Sequence, residues 1–436
     1  MENVCIKNLG CLPTGMKLNL HTYFRLNGFG ITKNISEADY IVVVTCASMK
    51  RKEDLSINYI LNVVKRKKRK TAKIVVAGCL PAIDRERLTG EADIIQVEKE
   101  LDLDKIFMSS VKLDEMESYH LFSDAYEDFD LAIYNTLFRR FRLWKVEFPS
   151  GKKLEDFCGN FFILILKLFT RTITHKYLKA YFILPNSGCS GKCSYCVQRY
   201  AIGGVRSKPI DNLIEQLNDG LAKGFKFFMI LSTSLSDYGI DIKSSFLDLL
   251  NAFTNLKQDY QLQLVCINPA WIVQNIDEFL KILERKKIIG FSSSIQSGSQ
   301  RILDLMNRPY DIKKVMQCFQ LINARFPRLK IYTEVIVGFP TETEDDFLET
   351  LSLLKSVKFS DIRFYGYSEM PNALSMKIPY KVADKIIKKR VKLFERKFMT
   401  LVMKSWIEKI IFDFTYDFGT ACKNDILTID TRTSRK

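Results

Sequence analysis

"AYFILPNSGCSGKCSYC", residues 180–196, decides the fold. Its first six residues are apolar and end in proline, the signature of a short buried strand. The remainder is a glycine-broken loop holding Cys189, Cys193 and Cys196. Downstream, further strand patterns follow at "KFFMIL" (226–231), "QLQLVC" (261–266), "IIGFSSS" (288–294), "KIYTEVIV" (330–337) and "DIRFYGY" (361–367). Helical patterns fit between them, for example 209–225 with Pro209 at its start. Six strands in βα order predict a partial barrel, six of the eight units of a closed one. Chemistry in such folds sits at the C-terminal strand ends, and the cysteine loop follows the first strand.

Upstream, residues 1–100 predict a smaller parallel sheet of Rossmann-like type. Strands are expected at "VCIKN" (4–8), "YIVVVT" (40–45) and "KIVVAG" (73–78), with helices near 15–27 and 51–69. Residues 101–179 read as an inserted segment without a clean period. Residues 101–130 carry nine acidic and two basic groups, and 131–180 carry three and ten. That switch suits either an internal clamp with a substrate arm or ordinary surface. The barrel is expected over 180–395. A short basic tail is expected over 396–436, and it shows no alternating strand pattern. The fold class is therefore α/β, a Rossmann-like parallel-sheet domain followed by a partial (β/α)6 barrel.

Composition narrows the function. The formal charge of +16 favours a polyanionic partner, though a lysine-rich solvated surface explains it as well. The most apolar stretch, "FFILILKLF" (161–169), is too short for a membrane span and Lys167 interrupts it. No export signal opens the sequence, so a cytoplasmic protein is expected, with no membrane partner. Eleven cysteines in such a chain point to metal or redox chemistry rather than a disulfide framework.

The loop spacing is CxxxCxxC, and the next cysteine, Cys266, is seventy residues away. Four thiolates in CxxC pairs would suggest structural zinc. Three can hold three corners of a [4Fe–4S] cube and leave the fourth iron open to a small molecule. Such an iron can ligate S-adenosylmethionine (SAM) and pass it one electron, releasing a 5′-deoxyadenosyl radical. Tyr195 is placed to shield one face of the cluster. A zinc site or unligated core cysteines are the alternatives. A second trio, Cys11, Cys46 and Cys79, follows the three N-terminal strands in "NLGC", "VVVTC" and "VVAGC". Parallel strands end on one edge, where these thiolates can converge, although buried cysteine at a strand end is also a common packing choice.

With "NLGC", "VTCASMKRKE", "AGCLPA", the CxxxCxxC loop, Arg206–Ser207, "IQSGSQRILDLMNRPY" (295–310) and "EVIVGFPTETEDDFLETL" (334–351), the chain resembles the radical SAM methylthiotransferases. The resemblance covers about 1–100 and 180–396. It implies two [4Fe–4S] clusters, one per trio, SAM as cofactor, and replacement of C–H by C–S–CH3. It also implies a reducing partner such as flavodoxin or ferredoxin. Gln296, Ser297 and Glu334 are expected at the barrel mouth, against the SAM ribose or amino acid. Ser234 is a candidate for the SAM amino group. Arg308 is placed either on the SAM carboxylate or on the end of a nearby helix. The chain departs from the family pattern in "CLPTGMKLN" after Cys11, in "LSTSLSDYG" (231–239) and in "SEMPNA" (368–373). It also shows no recognisable C-terminal barrel of the TRAM type. The departure after Cys11 and the missing barrel favour a peptide or protein substrate. The charge and the family's majority favour tRNA adenosine, and a degenerate iron–sulfur scaffold is the remaining alternative.

Overall fold

The computed structural model describes residues 1–9, 16–47, 49–66, 71–88, 94–97, 102–113 and 180–398. Cys11, most of the 101–179 segment and the tail beyond 398 lie outside them. Two parallel sheets organise the rest.

The first contains β1 (Asn3–Asn8), β2 (Gly30–Ile31), β3 (Tyr40–Thr45), β4 (Lys73–Gly78) and β5 (Ile94–Gln96), in the order β2-β1-β3-β4-β5. Both of its faces are buried. Val42 and Val44 pack with Leu20, Tyr23 and Phe24 of helix Met16–Leu26. Ile41 and Val43 pack with Ile57, Ile60 and Val63 of helix Lys50–Arg66 on the other side. Helices on both faces explain why "YIVVVT" is continuously apolar rather than alternating. The chain leaves β1 first toward β2 and then crosses to β3. The order therefore reverses between β1 and β3, and the crevice at their C-terminal ends is where such sheets bind ligands.

The second sheet contains β6 (Ala180–Ile183), β9 (Phe227–Leu231), β10 (Gln261–Val265), β11 (Ile288–Ser292), β12 (Lys330–Val337) and β13 (Asp361–Gly366). The order follows the sequence, every pair is parallel, and β13 does not return to β6. Sequential order with right-handed crossovers keeps the helices on one side and curls the sheet toward a barrel. Phe228, Ile230, Leu262, Leu264, Ile331, Val335 and Ile362 meet those helices in one continuous core. The alternate residues Met229, Tyr332, Glu334, Arg363 and Tyr365 project from the opposite, inner face. All six expected barrel strands are present. A short antiparallel pair, β7 (Asn186–Ser187) with β8 (Arg206–Ser207), was not expected.

Candidate functional site

The cysteine loop is a pinned structure. The β7–β8 pair closes its neck. Gly188, at φ 83°, has no room for a side chain, since a Cβ would fall on the Gly204 carbonyl. Asp237 accepts from the Ser190 N–H and hydroxyl at 2.8 and 2.9 Å, bracing one flank. Asp241 accepts from the Ser207 N–H at 2.7 Å. The other flank rests on the end of helix Gln300–Leu305. There the Ser194 N–H donates to the Met306 carbonyl, its hydroxyl to the Leu305 carbonyl, and Asn307 Nδ2 to the Lys192 carbonyl. This bracing is what "IQSGSQRILDLMNRPY" supplies.

The same segment delivers Arg308. Its guanidinium donates to Cys193 Sγ at 3.5 Å, to the Ser294 carbonyl at 2.7 Å and to the Tyr310 hydroxyl at 3.3 Å. It caps no helix. The Tyr195 ring packs against the barrel core beside Arg308 and Cys193.

A Cβ at Gly191 would sit 3.2 Å from Cys189 Sγ and 3.8 Å from Cys193 Sγ, so the glycine keeps open a cradle between two sulfurs. Burial, the largest cause, pushes the Cys189 thiol up to about 11, against the Gly191 N–H. Burial likewise raises Cys196, against the N–H groups of Gln198 and Arg199. Buried thiols of this kind ionise when a cation arrives, and binding then releases protons. Among the described residues, no three His, Cys, Asp or Glu side chains are gathered to hold a metal ion. A single zinc needs thiolates roughly 4 Å apart, from its ~2.3 Å bonds in tetrahedral array. Two of the three unbridged cysteines border the Gly191 cradle, and a guanidinium lies on one of their sulfurs, a pairing that suits an anionic group.

The inner face supplies polar groups. Glu334 accepts from the Ser294 hydroxyl at 3.1 Å and the Tyr365 hydroxyl at 3.4 Å, with the Arg363 guanidinium at 3.8 Å. Glu334 thus faces the barrel interior and is ion-paired there. Gln296, at φ 65°, bridges β12 through its backbone, and its buried Oε1 has no partner among the described residues. The same holds for Asn186 Oδ1, whose amide donates to the Ser234 carbonyl at 3.0 Å. Ser234 itself lies at the end of β9 with its hydroxyl making no cap. Ser297 turns elsewhere. Its hydroxyl meets Thr350 Oγ1 at 3.4 Å and accepts from the Ser299 N–H, serving the packing of helix Glu344–Lys355. Sequence reasoning missed Asn186, Arg363 and Tyr365. Only the period-2 pattern of "DIRFYGY" hinted at the last two. Cys266 also joins this face, beside Glu334, Arg363 and Cys189, in a left-handed backbone at φ 70°.

Cys46 and Cys79 follow β3 and β4, which are adjacent strands, and both are buried. Gly78, at φ 94°, makes the turn; a Cβ there would lie 2.6 Å from the Thr45 carbonyl oxygen. The Thr45 hydroxyl accepts from the Leu80 N–H at 3.1 Å and so ties the two cysteine segments. Cys79 opens helix Cys79–Ile83, which packs directly on helix Gln198–Ile202, immediately after Cys196. Cys79, Leu80, Ile83, Val197, Met370 and Ala373 share one apolar cluster. Asn372 Nδ2 adds a bond to the Ile83 carbonyl at 3.2 Å.

Residues 183–354 match the family model of the radical SAM superfamily, and residues 3–97 match that described as uncharacterized protein family UPF0004. A threonylcarbamoyladenosine tRNA methylthiotransferase of Aquifex aeolicus is 35% identical over 49% of this chain and 52% of its own. That alignment therefore spans about half of the relative's length. A probable threonylcarbamoyladenosine tRNA methylthiotransferase of Methanocaldococcus jannaschii is 25% identical over 90% of this chain and 82% of its own. A ribosomal protein uS12 methylthiotransferase of Dictyoglomus thermophilum is 26% identical, covering 86% and 78%. Among solved structures, the radical SAM methyltransferase TsrM of Kitasatospora setae superposes with a TM-score of 0.56. It is 12% identical and covers 86% of this chain and 75% of its own, a likeness of fold.

Proposed function

The chain belongs to the radical SAM methylthiotransferase family, and we propose that it replaces C–H by C–S–CH3 on an adenosine of tRNA. The observation that carries this reading is the shared packing of the two cysteine segments. Helix Cys79–Ile83 lies on the helix that follows Cys196, so both thiol groups border one interface. The cofactors are SAM and two [4Fe–4S] clusters, which supply the electron, the hydrogen-abstracting radical, the methyl group and the sulfur.

The chain's own residues hold and orient these groups. Cys189, Cys193 and Cys196 are the thiolates of the first site. Arg308 stabilises negative charge on Cys193. Asn186 Oδ1 and Gln296 Oε1 are buried acceptors that suit the amino or hydroxyl donors of SAM. Glu334, fixed by Ser294 and Tyr365, presents a carboxylate on the same inner face. Cys46 and Cys79, with Cys11 from outside the described residues, would hold the second cluster.

tRNA is favoured over a peptide by the +16 charge and by the tRNA relative aligned over most of its length. The expected preference for a peptide rested on the sequence around Cys11, itself outside the described residues, and on the unrecognised C-terminal barrel. The Dictyoglomus relative supports the protein-substrate reading. A purified reaction with bulk tRNA and with ribosomal protein uS12 separates them, read by mass spectrometry for the methylthio group. Replacing Cys189, Cys193 and Cys196 with Ala should remove about half of the iron and all SAM cleavage. Replacing Cys11, Cys46 and Cys79 should spare 5′-deoxyadenosine formation and remove product. Full product from the second variant would exclude the N-terminal trio as the sulfur site.

A further inference from the structure

Helix Asp384–Lys397 follows β13 and returns along the outside of the barrel. Its inner side is fixed by Ile387, Arg390 and Phe394, all buried. Phe394 stacks on Phe364 of β13 at 4.5 Å. Arg390, within this basic run, is paired with Glu342 at 2.7 Å and Glu344 at 2.9 Å.

The outer side is different. Lys385, Lys388, Lys389, Lys392 and Arg396 are all exposed. Their spacing places them on one stripe, since i, i+3, i+4, i+7 and i+11 share a helix face. At 1.5 Å per residue the stripe is roughly 16 Å long. Among the described residues, no salt bridge to an acidic group is formed by any of the five. The helix's own acids, Asp384 and Glu395, lie along one edge of the stripe, about 40° and 20° from Lys388 at 100° per residue.

At the head of the stripe stands Tyr380. Its side chain is 84% exposed, although its backbone is left-handed, at φ 56°. A bulky residue rarely adopts that conformation, and such strained positions cluster where a chain binds a ligand. The Tyr380 carbonyl accepts from the Thr341 N–H at 2.9 Å, which anchors it beside the loop leaving β12. That loop is at the C-terminal strand ends, the edge that carries the cysteine loop.

Resting on the tRNA reading above, we propose that Tyr380 and this cation stripe form a docking track for single-stranded RNA that leads from the barrel mouth. An exposed aromatic ring stacks on any base, and regularly spaced cations neutralise successive phosphates. The anionic backbone complements five exposed cations that form no salt bridge among the described residues. The track holds the strand while the target nucleotide enters the mouth.

The experiment uses the full-length, cluster-loaded protein and a fluorescein-labelled 12-nucleotide single-stranded RNA, titrated across a salt series. Changing all five cations to Gln should lower the log–log salt slope by about 0.7 for each phosphate no longer neutralised. Affinity at 0.1 M salt should fall at least tenfold. Tyr380→Ala should weaken binding about tenfold by removing the stacking ring, while leaving the salt slope unchanged. Unchanged slope and affinity in the five-site variant overturn the proposal. So does equal competition by a poly-glutamate peptide of the same charge, which would mark a general polyanion surface. Circular dichroism and iron content check folding, and the triple variant Lys388→Gln, Lys389→Gln, Lys392→Gln serves if the larger one is unstable. SAM cleavage without RNA should match wild type in every variant. If the wild-type protein cleaves no SAM, the catalytic reading fails, and the RNA measurement still decides the track.

Discussion

At the residue scale, Arg308 shows how much one side chain can hold in place. Its three donors join the cysteine loop, the end of β11 and Tyr310. A hydrogen bond to a charged group is worth about 1.5–3 kcal/mol, and a guanidinium favours the more negative state of whatever the sulfur ligates. Arg308→Gln should therefore lower the midpoint potential of the first cluster. The expected shift is roughly 60–130 mV, at ~59 mV per tenfold for one electron. Redox titration followed by electron paramagnetic resonance reads it directly. An unchanged potential would show that the 3.5 Å approach to Cys193 carries no electrostatic weight. Arg308→Lys should recover only part of the shift, because lysine lacks the planar fork that reaches three acceptors.

Elements were legible from the sequence where burial dictated composition. "YIVVVT" and "KIVVAG" are strands over the expected residues because both faces of their sheet are covered. "KIYTEVIV" is likewise complete, with buried residues alternating along it. β5 went unseen, since three residues carry too little pattern. Within the site, Cys189, Cys193 and Cys196 were legible from spacing alone, whereas side-chain direction was not. Gln296 and Ser297 are sequence neighbours, yet the left-handed backbone at Gln296 sends their side chains to different surroundings. Arg390 sits in a basic run and is buried because Ile387 and Phe394 set the inner face of its helix. That helix also supplies a pH signature. Burial, the largest cause, pushes the Glu342 carboxyl up to about 7, against the Gly338 N–H and Arg390. An unfolded glutamate titrates near 4.5, so between those values the folded chain holds a proton that the unfolded chain has lost. Stability should fall as pH rises through this window. Glu342→Gln should remove that component of the slope in thermal melts. A variant whose profile parallels wild type would refute the assignment. Above this window, where Glu342 is ionised, Arg390→Met should cost about 3–5 kcal/mol, the usual consequence of stranding one partner of a buried ion pair.

At the scale of the whole molecule, the two sheets meet where chemistry would pass between them. Leu80 and Ile83, from the Cys79 helix, pack with Val197, Met370 and Ala373 from the barrel side. The Tyr200 hydroxyl donates to the Asn372 carbonyl at 3.3 Å, and Asn372 in turn reaches the Ile83 carbonyl at 3.2 Å. Neither thiol group depends on the other for its local loop. The barrel loop is pinned by β7–β8 and by the Met306 region, and the N-terminal segments by Gly78 and Thr45. Loosening the interface should therefore disturb their relative placement before it disturbs either site. Leu80→Ala removes a fully buried side chain and should cost about 2–5 kcal/mol, visible as a lowered melting temperature. Iron content should stay near wild type. SAM cleavage should continue, while the yield of methylthio product per 5′-deoxyadenosine formed should fall several-fold, since transfer depends on distance and orientation between the two sites. The milder Asn372→Ala should move the same ratio in the same direction with a smaller stability change. If both variants keep the wild-type ratio despite a weakened interface, the shared core is packing alone, and coupling between the two cysteine groups must run through another part of the chain.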